Sequence, residues 1–138
     1  MDHHTGFRAI LLILICFLLS CPDSKRTATL PFGGVNRPAG GQKLQGAVEV
    51  IGWALADSGI ESVSLYVDRA FHAKASIGLP RADVAAAYPK ATGGAESGWR
   101  ATLDTTTFSS GWHELTVQAV SKAGTTRDLA SLTFLRGQ

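Results

Sequence analysis

The chain has 138 residues, with 13 Lys+Arg against 11 Asp+Glu, 45% hydrophobic content, 15 Gly and 2 Cys, which leads us to expect one globular domain with short appendages. A net charge of +2 without a clustered basic face excludes a nucleic-acid binder, because neutralising a run of phosphates takes many Lys and Arg on one surface. Plentiful aliphatic and aromatic residues without like-charge blocks exclude a disordered chain.

Residues 9–19 (AILLILICFLL) are unbroken apolar, preceded by Arg8 and followed by Ser20-Cys21-Pro22. A membrane-spanning helix needs about 20 such residues, whereas the apolar core of an export signal runs roughly 7–15. The length therefore predicts a signal peptide over residues 1–21 and an exported, cell-envelope location. Leu18-Leu19-Ser20-Cys21 resembles the end of a bacterial lipoprotein signal, in which a small residue precedes a cysteine that is lipidated and becomes the new N-terminus. The resemblance implies lipidation at Cys21 and attachment to the membrane there. Leu19 departs from it, since a small residue is usual at that position, and this leaves an uncleaved signal anchor or a later cleavage as alternatives. Both cysteines, Cys16 and Cys21, fall in this segment, so the exported domain has no disulfide and depends on packing alone.

Residues 22–42 (PDSKRTATLPFGGVNRPAGGQ) are rich in Pro, Gly, Ser, Thr and charge, and read as a flexible tether. The folded domain is expected over 43–138. There, apolar residues recur at every second position in short runs: Val63, Leu65, Val67; Trp99, Ala101, Leu103; Leu115, Val117, Ala119; and Leu132, Phe134. Alternation of this kind predicts half-buried strands. Turn clusters at Asp57-Ser58-Gly59, Ser109-Ser110-Gly111 and Lys122-Ala123-Gly124 separate the runs, and the spacing predicts an all-β antiparallel sandwich. Residues 78–98 (GLPRADVAAAYPKATGGAESG) break the rhythm. Two helical turns over 82–88, ended by Pro89, are expected inside this long loop, with Val84 and Tyr88 packed on the core; loops of this length in compact domains often carry function.

Several of these pieces together resemble bacterial immunoglobulin-like modules of cell-surface and secreted proteins. They are Gly52-Trp53-Ala54-Leu55-Ala56-Asp57-Ser58-Gly59-Ile60, Val63-Ser64-Leu65-Tyr66-Val67-Asp68, Leu79-Pro80-Arg81-Ala82-Asp83-Val84, Ser97-Gly98-Trp99 and Gly111-Trp112-His113-Glu114-Leu115-Thr116-Val117. The resemblance implies an immunoglobulin-like β-sandwich acting as a non-enzymatic binding or structural module, with a carbohydrate-binding accessory module as the alternative. Its implied partner is an envelope protein or a polysaccharide. Arg69 departs from the pattern, because it stands where Gly would supply the positive φ of a two-residue hairpin, and a longer or strained turn is expected there.

Few residues offer reactive chemistry. His72 and His113 are the only histidines beyond the signal, neither has a metal-ligand spacing, and no metal or cofactor is expected. His113 shares the parity of Leu115 and Val117 and is expected to point inward and satisfy a backbone carbonyl. No GxSxG turn accompanies the many hydroxyls. The carboxylates Asp57, Glu61, Asp68, Asp83 and Asp104 lie in or beside turns, where Asp commonly bonds its own backbone, so no catalytic residue is assigned. Aromatic side chains are the stronger lead, since an exposed ring can stack on a sugar or anchor a protein. Parity places Trp99 in the core and Trp112 outside with Glu114, Thr116 and Gln118. Trp53 is expected inward through a bulge at Gly52. The candidate contact surface is thus Trp112 together with Arg81 and Asp83 of the 78–98 loop.

Overall fold

The computed structural model describes residues 29–138; Cys21 and the rest of the signal-like segment lie outside the described residues. Two sheets form the molecule. Strands β1 (Phe32–Arg37), β3 (Ala47–Leu55), β7 (Gly98–Asp104) and β6 (Ser76–Leu79) make a four-stranded sheet in the order β1-β3-β7-β6. Strands β2 (Gln42–Leu44), β9 (Thr126–Arg136), β8 (Gly111–Ser121), β4 (Ile60–Val67) and β5 (Ala70–Lys74) make a five-stranded sheet in the order β2-β9-β8-β4-β5. This is the strand order of an immunoglobulin-like sandwich. All pairings are antiparallel except the three-residue contact of β2 with β9.

The core lies where the inward parities meet. Val63, Leu65 and Val67 of β4, Leu115, Val117 and Ala119 of β8, and Phe134 of β9 face Val50 and Ala54 of β3 and Trp99, Ala101 and Leu103 of β7. Each alternates with polar or half-buried neighbours, as expected for a sheet with one face in water. Turns form where the sequence supplies the residues for them: Gly59 at φ 91 and Gly124 at φ 90 close the β3–β4 and β8–β9 connections, with Gly59 N–H donating to Ala56 O and Gly124 N–H to Ser121 O, both at 2.9 Å.

Two sequence expectations change. The sandwich begins earlier than residue 43: Phe32, Gly33, Gly34 and Val35 pair with Leu55, Ala54, Trp53 and Gly52, so residues 32–42 of the expected tether include strands β1 and, at Gln42, the start of β2. Gly33 lets β1 approach β3 closely, since a Cβ there would overlap the Trp53 carbonyl. Trp53 is the second correction. The β3–β7 register runs unbroken from Ala47 to Trp53, so there is no bulge at Gly52, and Trp53 points out of the four-stranded sheet. Gly52 takes the inward position because the Trp99 indole already fills it: a Cβ there would lie 2.5 Å from Trp99 Cζ2 and would overlap the Gly34 carbonyl. At Arg69, where a longer or strained turn is expected, the strained form is found. Val67 pairs with Ala70, leaving a two-residue turn in which both Asp68 (φ 50) and Arg69 (φ 71) are left-handed, a conformation that costs an L-residue such as Arg roughly 1–2 kcal/mol.

Candidate functional site

The loop at residues 78–98 is folded back onto the outer side of the four-stranded sheet. Its helix α1 (Ala82–Ala87) buries Val84, while Tyr88 remains 40% exposed and packs on Trp53 rather than on the core, with ring centroids 5.3 Å apart. Phe32 meets both rings edge-on, at 5.8 Å and 5.5 Å. Arg81 ties the loop down. Its Nε and Nη2 donate to the two carboxylate oxygens of Asp83, each at 2.8 Å, and its Nη1 donates to Asn36 Oδ1 at 2.8 Å and Gly52 O at 3.2 Å. The β1–β3 ladder skips at Asn36, and the guanidinium bonds that residue's side-chain oxygen and the Gly52 carbonyl. The Arg81 hydrogen bonds, aided by its charge, hold the Asp83 carboxyl down to about 2. Arg81 and Asp83 therefore spend their hydrogen-bonding capacity on each other and on the loop's seat.

Trp112 stands on the other sheet, 61% exposed, as parity predicts. The structure does not bring it together with Arg81 and Asp83. Its cross-strand partner is Leu135 of β9, and the same outer face of the five-stranded sheet carries Glu114, Thr116 and Gln118 of β8, Tyr66 of β4, Phe71 of β5 and Ser131 of β9. Tyr66 is paired with both Thr116 and Phe71, and its ring meets that of Phe71 edge-on at 5.9 Å. Phe71 is 61% exposed. A shallow groove of about 520 Å³ lies on the same face, lined by Tyr66, Arg69, Glu114, Thr116, Gln118, Asp128 and Ser131. Phe71 and Tyr66 escape the sequence reading because their juxtaposition depends on a two-residue turn that lacks glycine; the alternation Tyr66 out, Val67 in was the available signal.

One end of this sheet carries the titratable groups. His113 points inward as expected, 11% exposed, stacked on Phe134 at 5.6 Å, and its Nε2 lies 2.8 Å from the Ser109 carbonyl. Its Nδ1 also lies 2.6 Å from Asp68 Oδ2, while Asp68 Oδ1 accepts the Glu114 N–H at 2.9 Å. Both ring nitrogens face acceptors, which favours the doubly protonated imidazolium. The Asp68 hydrogen bond, aided by the Ser109 carbonyl, raises His113 above the ordinary imidazole range, and the His113 hydrogen bond lowers Asp68. Stability from His113 is full below about pH 6.5, its unfolded value, and is lost as pH rises through the raised folded value; stability from Asp68 is full above about pH 3.9 and is lost as pH falls through the lowered folded value. The pair thus contributes most between about pH 4 and 6.5. Urea midpoints are expected to be higher at about pH 6 than at about pH 8.5, and Asp68→Asn, which still tolerates the left-handed turn, is expected to shrink that difference. Equal midpoints in the wild type would contradict the pairing.

Among the described residues, no group of three or more His, Cys, Asp or Glu could hold a metal ion. His72 accepts the Asp104 N–H through Nε2 at 3.1 Å. Asp104 Oδ1 caps the following turn through Thr106 N–H at 3.1 Å, the local role expected of a turn aspartate.

These features define an immunoglobulin-like sandwich module. The chain belongs to the bacterial Ig domain family, whose model matches residues 31–117. No curated protein matches it. Among solved structures it is similar to the endo-beta-1,4-mannanase from Thermotoga petrophila, with 18% identity, 94% of this chain and 24% of that one covered, and a TM-score of 0.54. It is also similar to the fibronectin(III)-like modules of Clostridium thermocellum CbhA, with 15% identity, 82% of this chain and 50% of that one covered, and a TM-score of 0.57. The chain thus spans about a quarter of the first and half of the second, and at these identities the likeness is one of fold.

Proposed function

We propose that the chain is an exported, lipid-anchored, non-enzymatic module of the cell envelope, a bacterial Ig domain that holds an envelope protein or polysaccharide. Membership of the bacterial Ig domain family carries this reading, because modules of this kind are typically non-catalytic parts of surface and extracellular proteins. The apolar run at 9–19, followed by Ser20-Cys21, supports export and an anchor at Cys21. Among the described residues no helix is long and apolar enough to cross a membrane, and attachment is assigned to the N-terminal segment. Metabolic labelling with a fatty acid tests the anchor: the wild type should take up label and Cys21→Ala should lose it. A membrane-bound wild type without label would replace lipidation with an uncleaved signal anchor.

A further inference from the structure

Resting on that reading, we propose that the outer face of the five-stranded sheet binds an uncharged polysaccharide, with sugar rings stacked on Phe71 and Trp112 and their hydroxyls held by the polar groove beside them. Phe71 and Trp112 are the most exposed large apolar side chains among the described residues, at 61% each. Both stand on the outer face of one sheet, Phe71 edge-on to Tyr66 at 5.9 Å, and an exposed ring can stack on a sugar.

The arrangement of these rings selects the ligand. Phe71 pairs with Tyr66, which pairs with Thr116, and Trp112 lies four residues further along β8. Four residues at ~3.3 Å and two strand spacings at ~4.8 Å put their backbone positions roughly 16 Å apart. That is too far for one sugar and suits an oligosaccharide. A protein partner of stable affinity buries a contiguous apolar centre from which charged residues are depleted. Here the groove beside the rings is lined, apart from Tyr66, by polar or charged residues alone.

Charge gives the second argument. Arg69 stands among Glu114 and Asp128 in the groove, so both signs are interspersed and no single-sign field extends over the face. A polyanion would meet the two carboxylates and a polycation would meet Arg69. A hydroxyl both donates and accepts, so a neutral polyol can satisfy carboxylate, guanidinium, amide and hydroxyl alike. The Thr116–Ser131 and Gln118–Asp128 contacts, at 3.1 Å and 3.4 Å, are long side-chain bonds, which a ligand hydroxyl can replace at little cost. The main-chain ladder of β9, β8, β4 and β5 already fixes these positions, so little ordering entropy is lost on binding.

Affinity electrophoresis of the full chain in nonionic detergent, through gels containing soluble glucomannan, galactomannan, β-glucan or, as an acidic control, polygalacturonate, tests this. Retardation by at least one neutral polymer and none by polygalacturonate is expected. Phe71→Ala and Trp112→Ala should each weaken binding about tenfold, and Tyr88→Ala, on the opposite sheet, should leave it unchanged. Unchanged mobility in all three neutral gels overturns the glycan assignment. Undiminished retardation of the double variant Phe71→Ala/Trp112→Ala overturns this face as the site, and stronger retardation by polygalacturonate overturns the uncharged ligand. The fatty-acid label at Cys21 is read separately, so export and anchoring stand or fall on their own.

Discussion

Replacing Trp99 with alanine is expected to remove most of the stability of the domain. The side chain is 1% exposed and lies between the sheets against Gly52, in a core that also holds Val50, Leu65, Leu103 and Phe134. Truncation of a buried Trp costs roughly 3–5 kcal/mol through lost transfer energy and the cavity left behind. A small domain has only about 5–15 kcal/mol in all, and no disulfide joins residues of the sandwich, which contains no cysteine. Urea melts should show a sharply lowered midpoint or no cooperative transition. Trp99→Phe should do far less damage, because it keeps an aromatic ring and removes an indole N–H that is buried without a partner among the described residues, a group whose desolvation costs about 1–3 kcal/mol. If Trp99→Ala melted within about 1 kcal/mol of wild type, the site would lie outside the core.

Gly52→Ala is expected to be nearly as harmful, although it adds a single carbon. The new Cβ would meet the Gly34 carbonyl and the Trp99 ring, at 2.5 Å from Cζ2 and 2.8 Å from Cε2. The first contact is backbone held in the β1–β3 ladder, and the second is the largest side chain of the core, so neither neighbour gives way easily. Overpacking of this kind costs roughly 1–3 kcal/mol, and the upper end is expected here. The same shift would move the Gly52 carbonyl away from Arg81 and loosen the seat of the 78–98 loop. In the double variant with Trp99→Phe, part of the loss should be recovered, since the ring clash is relieved while the Gly34 clash remains; strict additivity in urea melts would show that residues 52 and 99 do not touch.

How far the sequence discloses this architecture depends on whether the deciding contact is local. Inward positions of β4, β7 and β8 follow from alternation alone, because Val63, Trp99 and Leu115 each begin a period-two run. The helix near Ala82 follows from Pro80 and Pro89 at its borders. Strand β1 is hidden, since Phe32-Gly33-Gly34-Val35 has no alternation and is held by backbone pairing to residues some twenty positions away. Trp53 misleads for a related reason: its size argues for the core, while its true cover is Phe32 and Tyr88, one from β1 and one from the long loop. Arg81 and Asp83 look like free loop charges at a spacing of two. Only the fold reveals that Asn36 and Gly52 complete their hydrogen-bonding set. The contact face is half legible, with Trp112 given by parity and Phe71 concealed behind a hairpin turn whose Arg69 occupies a position better suited to glycine.

Stability of Trp112→Ala tests the open outer face most directly. A side chain that is 61% exposed, on the polar parity of β8, has little folding energy to lose, and its substitution is expected to change the unfolding free energy by about 0.5 kcal/mol or less. Measured in the same urea series as Trp99→Ala, a midpoint close to wild type would leave the indole free for a ligand. A loss as large as that of Trp99→Ala would place Trp112 inside the fold and remove the proposed contact face.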